Sequence, residues 1–369
     1  MARLCVESST ATTFVLDGRE VLAFAGCNYL GLAQHPAVLA AAAEGLGRFG
    51  ISTTASRETT GNTVIHDALE RELAAFTRQE AAILLAEGYT ANFAVAQGLV
   101  PTHGIALVDA KAHRSIRNAA TAAGMQVMEY EHLNPDSAAW LVRQYADQGV
   151  AIFTDGIFAA DGAIAPLEGL LRALPARRGT LVVDDCHGLC VMGDGGRGTV
   201  DHLRLDDPRL CITTTLAKGL GCYGGAVIGR RVLVDAIRDG SDVYRRSTPV
   251  PTPIAMAARA ALGIIAKDAT LVDTLRQNTD RCRDALGRCG IRVHADPVPV
   301  FTFVLEGGVA RMERVHNDLL AHGIYAPLIE YPGGPSPRYF RLTVTASHRP
   351  EQIDRLGEAF ATSLNLTAC

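Results

Sequence analysis

Thr213-Thr-Thr-Leu-Ala-Lys-Gly-Leu-Gly-Cys-Tyr-Gly-Gly225 sets one lysine, Lys218, among hydroxyls and glycines directly after an apolar run. Lysine is scarce in this chain: only Lys111, Lys218 and Lys267 occur, and arginine carries the remaining positive charge. Arginine cannot stand in for a lysine that has to lose its proton and form a Schiff base. Composition alone leaves two readings open for Lys218, a solvated surface cation or a chemical group.

The stretch upstream bears on that choice. Leu181-Val-Val-Asp-Asp-Cys-His-Gly188 is an apolar strand ending in two aspartates, with a histidine three positions after the first. A carboxylate at a buried strand end needs a cationic partner or hydrogen-bond donors. A protonated pyridine nitrogen is such a partner, and a loop aspartate capping a turn is the plainer alternative. Further upstream, Leu85-Ala-Glu-Gly-Tyr-Thr-Ala-Asn92 turns through Gly88 from an apolar strand into a helical pattern, where free N–H groups of a first turn bind phosphate. Thr215 can add a hydroxyl, and His113, just past another strand end, can stack on a planar ring. A lysine, an aspartate for a pyridine nitrogen and a phosphate cradle are together what pyridoxal phosphate (PLP) requires.

Composition sets the frame. The 369 residues carry a net charge of -4, with 48% hydrophobic and 20% charged residues, which is enough for more than one core and gives no basic footprint for nucleic acid or an anionic membrane. Nine scattered cysteines, odd in number and without a C-x-x-C pair, read as reduced thiols rather than a disulfide framework or metal site. The N-terminal residues lack the apolar core of a signal peptide and no uninterrupted apolar run is long enough to span a bilayer, so the expected location is the cytoplasm.

Along the chain, residues 13–24 alternate apolar positions about Asp17-Gly18, the signal of a tight hairpin. Helical patterns follow at 37–47 and 66–76, separated by a hydroxyl-rich loop at 52–62. Strands are then expected at 82–86, 104–109, 126–129, 151–155, 180–184, 210–214 and 225–228, alternating with helices as in a mostly parallel sheet. Such sheets collect ligands at the carboxyl ends of their strands. After the proline cluster at 249–253 come a long helical stretch to about 289, strand-like segments at 292–295, 301–305 and 340–345, and helical patterns at 309–322 and 350–364.

The ordered motifs Asn28-Tyr-Leu-Gly-Leu, Gly88-Tyr-x-x-Asn92, Asp109-x-x-x-His113, Asp161-Gly-x-x-Ala-Pro-Leu167, Asp184-Asp-x-His-Gly188, Gly196-Arg-Gly-Thr199, Thr215-x-x-Lys218 and Arg341-Leu-Thr-Val-Thr-Ala-Ser-His348 resemble the α-oxoamine synthases over nearly the whole chain. The resemblance implies an α/β chain of the PLP-dependent transferase fold type I. Its expected parts are an N-terminal arm (1–35), a large PLP-binding domain with a mostly parallel central sheet (36–247) and a smaller C-terminal α/β domain (248–369). It further implies Lys218 as the lysine joined to the cofactor and the base at the amino-acid Cα, Asp184 on the pyridine nitrogen, His113 stacked on the ring and His187 at its phenolic oxygen. Gly88, Tyr89 and Thr215 would hold the phosphate, with Ser247 or Thr248 contributed by a second subunit of a homodimer that shares its active site. Asn28 and Arg341 would hold the substrate carboxylate, the planar fork of an arginine suiting that task. The implied reaction joins a small α-amino acid to an acyl thioester on CoA or a carrier protein, usually with loss of CO₂, and needs no metal.

One departure from the pattern is visible. Phe158-Ala-Ala-Asp-Gly-Ala163 puts Ala159 where these enzymes usually carry a serine beside the ring, so that serine's hydrogen bond is missing. An aminotransferase or lyase on the same cofactor is the chief alternative, and a catalytically silent partner subunit, expected to lack the lysine, is another.

Overall fold

A computed structural model describes residues 4–268, 270–330 and 333–365. Cys369 and the first three residues of the expected arm lie outside them. The chain divides into two compact units, one comprising the described residues of Met1–Gln34, Ala159–Ala163 and Ala269–Cys369, the other His35–Phe158 and Ile164–Asp268.

The first unit starts with β1 (Ser8–Ser9), β2 (Thr13–Leu16) and β3 (Arg19–Ala23). β2 and β3 form the hairpin expected about Asp17-Gly18, whose φ angles of 49° and 70° are both left-handed, the requirement of a two-residue turn that matches strand twist.

The second unit contains α1 (Pro36–Phe49), α2 (Val64–Phe76), β4 (Ala81–Leu85), α3 (Gly88–Leu99), β5 (Ile105–Asp109), α4 (Arg114–Ala122), β6 (Gln126–Tyr130), α5 (Pro135–Tyr145) and β7 (Val150–Asp155). It continues through α6 (Leu167–Ala173), β8 (Gly179–Asp184), α7 (Thr199–His202), β9 (Leu210–Thr215), β10 (Gly225–Gly229), α8 (Arg231–Gly240), α9 (Asp242–Arg246) and α10 (Thr252–Lys267). All seven expected strands are present and form one sheet in the order β4-β10-β9-β8-β7-β5-β6, with β10 alone antiparallel to its neighbours. Fully buried runs such as Val150–Asp155 and Leu210–Thr215 explain why these strands read as continuous rather than alternating apolar segments.

The remainder of the first unit is α11 (Thr270–Arg288), β11 (Val300–Phe303), α12 (Gly308–Ala321), β12 (Ile324–Tyr325), β13 (Leu328–Ile329), β14 (Tyr339–Thr343) and α13 (Pro350–Ser363). β12 adds in parallel to β3, and β11-β14-β13 form a small antiparallel sheet. Two expectations need correction. Residues 292–295 form no strand: Arg283 Nε donates to the His294 carbonyl at 3.1 Å and the His294 ring bonds to the Val300 carbonyl at 2.6 Å, so side chains occupy acceptors that a ladder would use. The division between units also falls at Asp268 rather than beside the proline cluster, because α10 packs on α1 and α2.

His348 ties the hairpin of the first unit to β14's outgoing loop. Its Nδ1 takes the Thr345 N–H at 3.0 Å, its Nε2 bonds to the Ala23 carbonyl at 3.1 Å, and its ring stacks on Phe24. Burial lowers its pKa from 6.5 to about 4. The unfolded chain therefore takes up a proton near pH 6.5 that the native chain resists until about pH 4, and stability contributed above the upper value is lost as pH falls through that window. The expected loss is about 3 kcal/mol. Urea titrations at neutral pH and near pH 4.5 should show it, and His348→Gln should flatten that part of the slope.

Candidate active site

The sheet delivers polar residues to the carboxyl ends of its parallel strands, as doubly wound sheets do. Asp155 at the end of β7 and Asp184 at the end of β8 are register partners, and Asp184 in turn faces Thr213 on β9. All three are buried.

Asp184 is held on both sides. Its Oδ1 accepts the Cys186 main-chain N–H at 3.2 Å and its Oδ2 accepts from Asn92 Nδ2 at 2.8 Å. Asp185, the second aspartate of the pair, has a different task. It takes the Thr199 N–H at 2.8 Å and the Thr199 hydroxyl at 2.5 Å, clamping the loop that leads into α7. Burial raises its pKa to about 6.

Beyond β9 the chain turns so that Lys218 Nζ lies 2.7 Å from His187 Nε2. His187 follows Asp184 by three residues, so the lysine, the imidazole and the carboxylate gather at adjoining strand ends. Thr215, the last residue of β9, gives its hydroxyl proton to the Gly224 carbonyl at 3.1 Å and accepts the Ala217 N–H at 3.1 Å.

Gly88 opens α3 against this residue. A Cβ at Gly88 would lie 2.7 Å from Thr215 Cβ, closer than side chains approach, so only glycine lets the helix start so near β9. Tyr89 follows, half exposed, with its hydroxyl accepting from Asn118 Nδ2 at 2.8 Å.

His113 sits at the N-cap of α4, where its ring lies edge-on to Tyr89 at 6.2 Å. Its main-chain N–H donates to Asp155 Oδ2 at 2.9 Å. Burial, and then the facing Asp184, push the Asp155 carboxyl well above the usual carboxylate range. Burial lowers the His113 pKa, with Asp184 opposing and Lys218 assisting.

The second unit thus brings together Gly88, Tyr89, His113, Asp184, His187, Thr215 and Lys218. Ser247 and Thr248, also in this unit, follow α9; the Ser247 hydroxyl donates to the Val243 carbonyl at 2.5 Å. Asn28 and Arg341 belong to the other unit. There Arg341 Nε donates to the Ala159 carbonyl at 2.9 Å, and the Cys27 thiol is among its hydrogen-bonding neighbours. Asn28 turns its amide into its own loop, donating to Gln34 Oε1 at 3.2 Å and accepting the Ala33 N–H at 3.2 Å.

Four further residues belong to the site's geometry: Asn92, Ser115, Asp155 and Thr213. Asn92 was visible only as part of a motif, although its place one helical turn after Gly88 puts both on one face. Asp155 carried the same signal as Asp184, a carboxylate closing an apolar strand. Ser115 and Thr213 had no signal of their own.

These residues fit PLP: a buried carboxylate fixed by two donors, a lysine in contact with an imidazole, and a helix N-terminus approached through a glycine. Among the described residues no cluster of side chains could hold a metal ion.

The model of the aminotransferase class I and II family matches residues 19–360. An 8-amino-7-oxononanoate synthase from Thioalkalivibrio sulfidiphilus is 34% identical over 366 residues, 98% of this chain and 93% of the relative. The chain belongs to the α-oxoamine synthases, within the aminotransferase class I and II family. A second 8-amino-7-oxononanoate synthase, from Methylococcus capsulatus, is 32% identical over 97% of this α-oxoamine synthase and 93% of the relative. Among solved structures, serine palmitoyltransferase from S. paucimobilis with a bound PLP–myriocin aldimine has a TM-score of 0.91 at 21% identity, covering 99% of this chain and 94% of that one. The 8-amino-7-oxononanoate synthase of Francisella tularensis gives 0.79 at 21% identity, covering 94% and 98%. At those identities the likeness shows the fold: this α-oxoamine synthase has the PLP-dependent type I fold.

Proposed function

We propose that this α-oxoamine synthase uses PLP to condense a small α-amino acid with an acyl thioester, on CoA or a carrier protein, releasing the thiol and, with loss of CO₂, an α-amino ketone. The observation that carries the reading is Lys218 in contact with His187 beside a carboxylate, Asp184, whose two oxygens are already held in place. The curated relatives, named as synthases, favour acyl transfer over plain amino transfer.

When bound, the cofactor supplies an electron sink that makes the amino-acid Cα–H acidic. Asp184 would hold a proton at the pyridine nitrogen, and because Asn92 and the Cys186 N–H already fix its carboxylate, no reorganisation would be needed when charge develops there. Lys218 Nζ would join the chain to the cofactor and, once released by the substrate's amino group, would be the free amine placed to take the Cα proton, with His187 2.7 Å away; His187 would bond the phenolic oxygen when it is not paired with the lysine. His113 would stack on the ring. The first N–H groups of α3, at Gly88 and Tyr89, would hold the phosphate, and Thr215, whose hydroxyl now donates to the Gly224 carbonyl, would add to them. Arg341 pairs with the amino-acid carboxylate. Asn28 joins it only when its bonds to Gln34 and Ala33 open. With alanine at 159, no side-chain hydroxyl there assists His187.

The reading includes a cytoplasmic homodimer in which Ser247 or Thr248 of one subunit reaches the phosphate held by the other. No helix among the described residues is long and apolar enough to cross a membrane.

Products decide the reaction class. Purified protein given small amino acids and acyl-CoAs should release free thiol and an α-amino ketone, identified by mass spectrometry. Amino transfer to a 2-oxo acid without thiol release would sink the proposal. Gly88→Ala provides a check on the cradle: the added methyl meets Thr215, overpacking costs about 1–3 kcal/mol, and PLP retention on gel filtration should fall while the sheet persists by circular dichroism.

A further inference from the structure

A continuous set of hydrogen bonds runs from Asp184 to His113. Asn92, fully buried, donates from Nδ2 to Asp184 Oδ2 at 2.8 Å and to Ser115 Oγ at 2.9 Å, and its Oδ1 accepts from the Thr213 hydroxyl at 2.8 Å. Both amide hydrogens and the carbonyl oxygen are matched in this orientation, whereas the flipped amide would set its oxygen against an Asp184 oxygen. Ser115, also buried, receives a hydrogen from Asn92 and has its own proton left to give.

The neighbour placed to take that proton is His113 Nδ1, 2.7 Å from Ser115 Oγ. The Ser115 main-chain N–H is directed at the same nitrogen at 3.3 Å, which is the N-cap bond of α4. A ring nitrogen that accepts from two donors carries its lone pair and no proton. A neutral imidazole then bears its single hydrogen on Nε2. Burial, which lowers the affinity of His113 for a second proton, keeps the ring in the neutral state that this arrangement needs.

We propose that Ser115, oriented by Asn92, is a positioning residue that fixes His113 in the Nε2–H tautomer, so that the ring presents a hydrogen-bond donor at Nε2. Because Asn92 also grips Asp184, one buried amide sets the direction of the carboxylate and the tautomer of the imidazole together. The use of that donor in the reaction rests on the proposed place of His113 against the cofactor ring, but the tautomer itself is a property of the chain alone.

The test is long-range ¹H–¹⁵N correlation NMR on the full-length protein with ¹⁵N-labelled histidine, recorded without PLP and again with it. His113→Gln identifies the His113 signals among those of the 11 histidines. The wild-type protein should show Nδ1 unprotonated and Nε2 protonated. Ser115→Ala removes the shorter of the two bonds to Nδ1 and should shift the tautomer ratio by about tenfold, the size of one lost hydrogen bond, while Ser115→Thr, which keeps the hydroxyl, should restore the wild-type pattern. A protonated Nδ1 or an averaged pattern in the wild type overturns the proposal. An unchanged pattern in Ser115→Ala assigns the tautomer to the main-chain N–H and overturns it equally. If Ser115→Ala disturbs the remaining histidine signals, and so the fold, the wild-type and Ser115→Thr spectra decide. Failure of the acyl-transfer reading would appear in the product analysis and not in these spectra.

Discussion

Lys218→Ala should lower kcat by about 10⁴-fold or more and abolish the visible absorbance of cofactor joined to a lysine. Two functions are lost at once. A positioned base contributes about 10² to 10⁴-fold by itself, and the covalent attachment of the cofactor goes with the same amine. Lys111 and Lys267 are the only other lysines in the chain; Lys111 lies in the turn between β5 and α4, two positions before His113, and Lys267 ends α10. Lys218→Arg keeps the charge but not the chemistry, because a guanidinium does not lose its proton at any working pH, and it should be as inactive as the alanine variant. Absorbance spectra and single-turnover measurements on both variants check the result, and retained absorbance in Lys218→Ala would mean that another lysine carries the cofactor.

The second large effect is expected at Asp184. Asp184→Asn keeps the shape but turns an acceptor into a donor where Asn92 Nδ2 already donates, 2.8 Å away, and where the Cys186 N–H seeks the other oxygen. Breaking a buried charge pair costs about 3–5 kcal/mol, so kcat should fall between about 10² and 10⁴-fold. In the proposed role the carboxylate would hold a proton on the ring nitrogen rather than anchor the cofactor, so the loss should be in kcat far more than in PLP retention. Activity within about threefold of wild type would remove Asp184 from the mechanism. The neighbouring Asp185→Asn provides the contrast. That carboxyl accepts from the Thr199 main-chain N–H and hydroxyl, away from Lys218 and His187, and the variant should alter stability above about pH 6, where the wild-type group is ionised at a cost, more than turnover.

Much of the site is legible in the amino-acid sequence. Asp184 stood out as a carboxylate closing an apolar strand, Gly88 as a glycine between strand and helix, and Lys218 as a rare lysine after a third apolar run. Each is a local signal, a residue type at the end of a periodic segment, and the alternation of strands and helices already required that strand ends lie together. The seven strands of the central sheet follow from the same cause, since strands buried on both faces are written as continuous apolar runs. Elements whose form depends on partners were less legible. Residues 292–295 have strand-like composition but lose their acceptor to Arg283, and α10, which looks like the start of a further domain, stays with the unit that holds the central sheet because α1 and α2 offer it a surface.

The chain's own order of residues therefore determined the chemistry: a lysine, a carboxylate, an imidazole and a glycine-opened helix, delivered by parallel strands to one edge of a sheet. Tertiary structure alone decided how those groups are held. Asn92 meets Asp184 and Thr213 across 92 and 121 residues, and the Asp155 carboxyl, pushed up chiefly by burial, is pushed further by Asp184 because β7 and β8 pair in one register. Asn28, expected from the resemblance to hold the substrate carboxylate, spends its amide on its own loop. A side chain's type is fixed by the chain, but a hydrogen bond needs a second atom within about 3 Å, and which atom that is depends on how distant strands and helices come to rest.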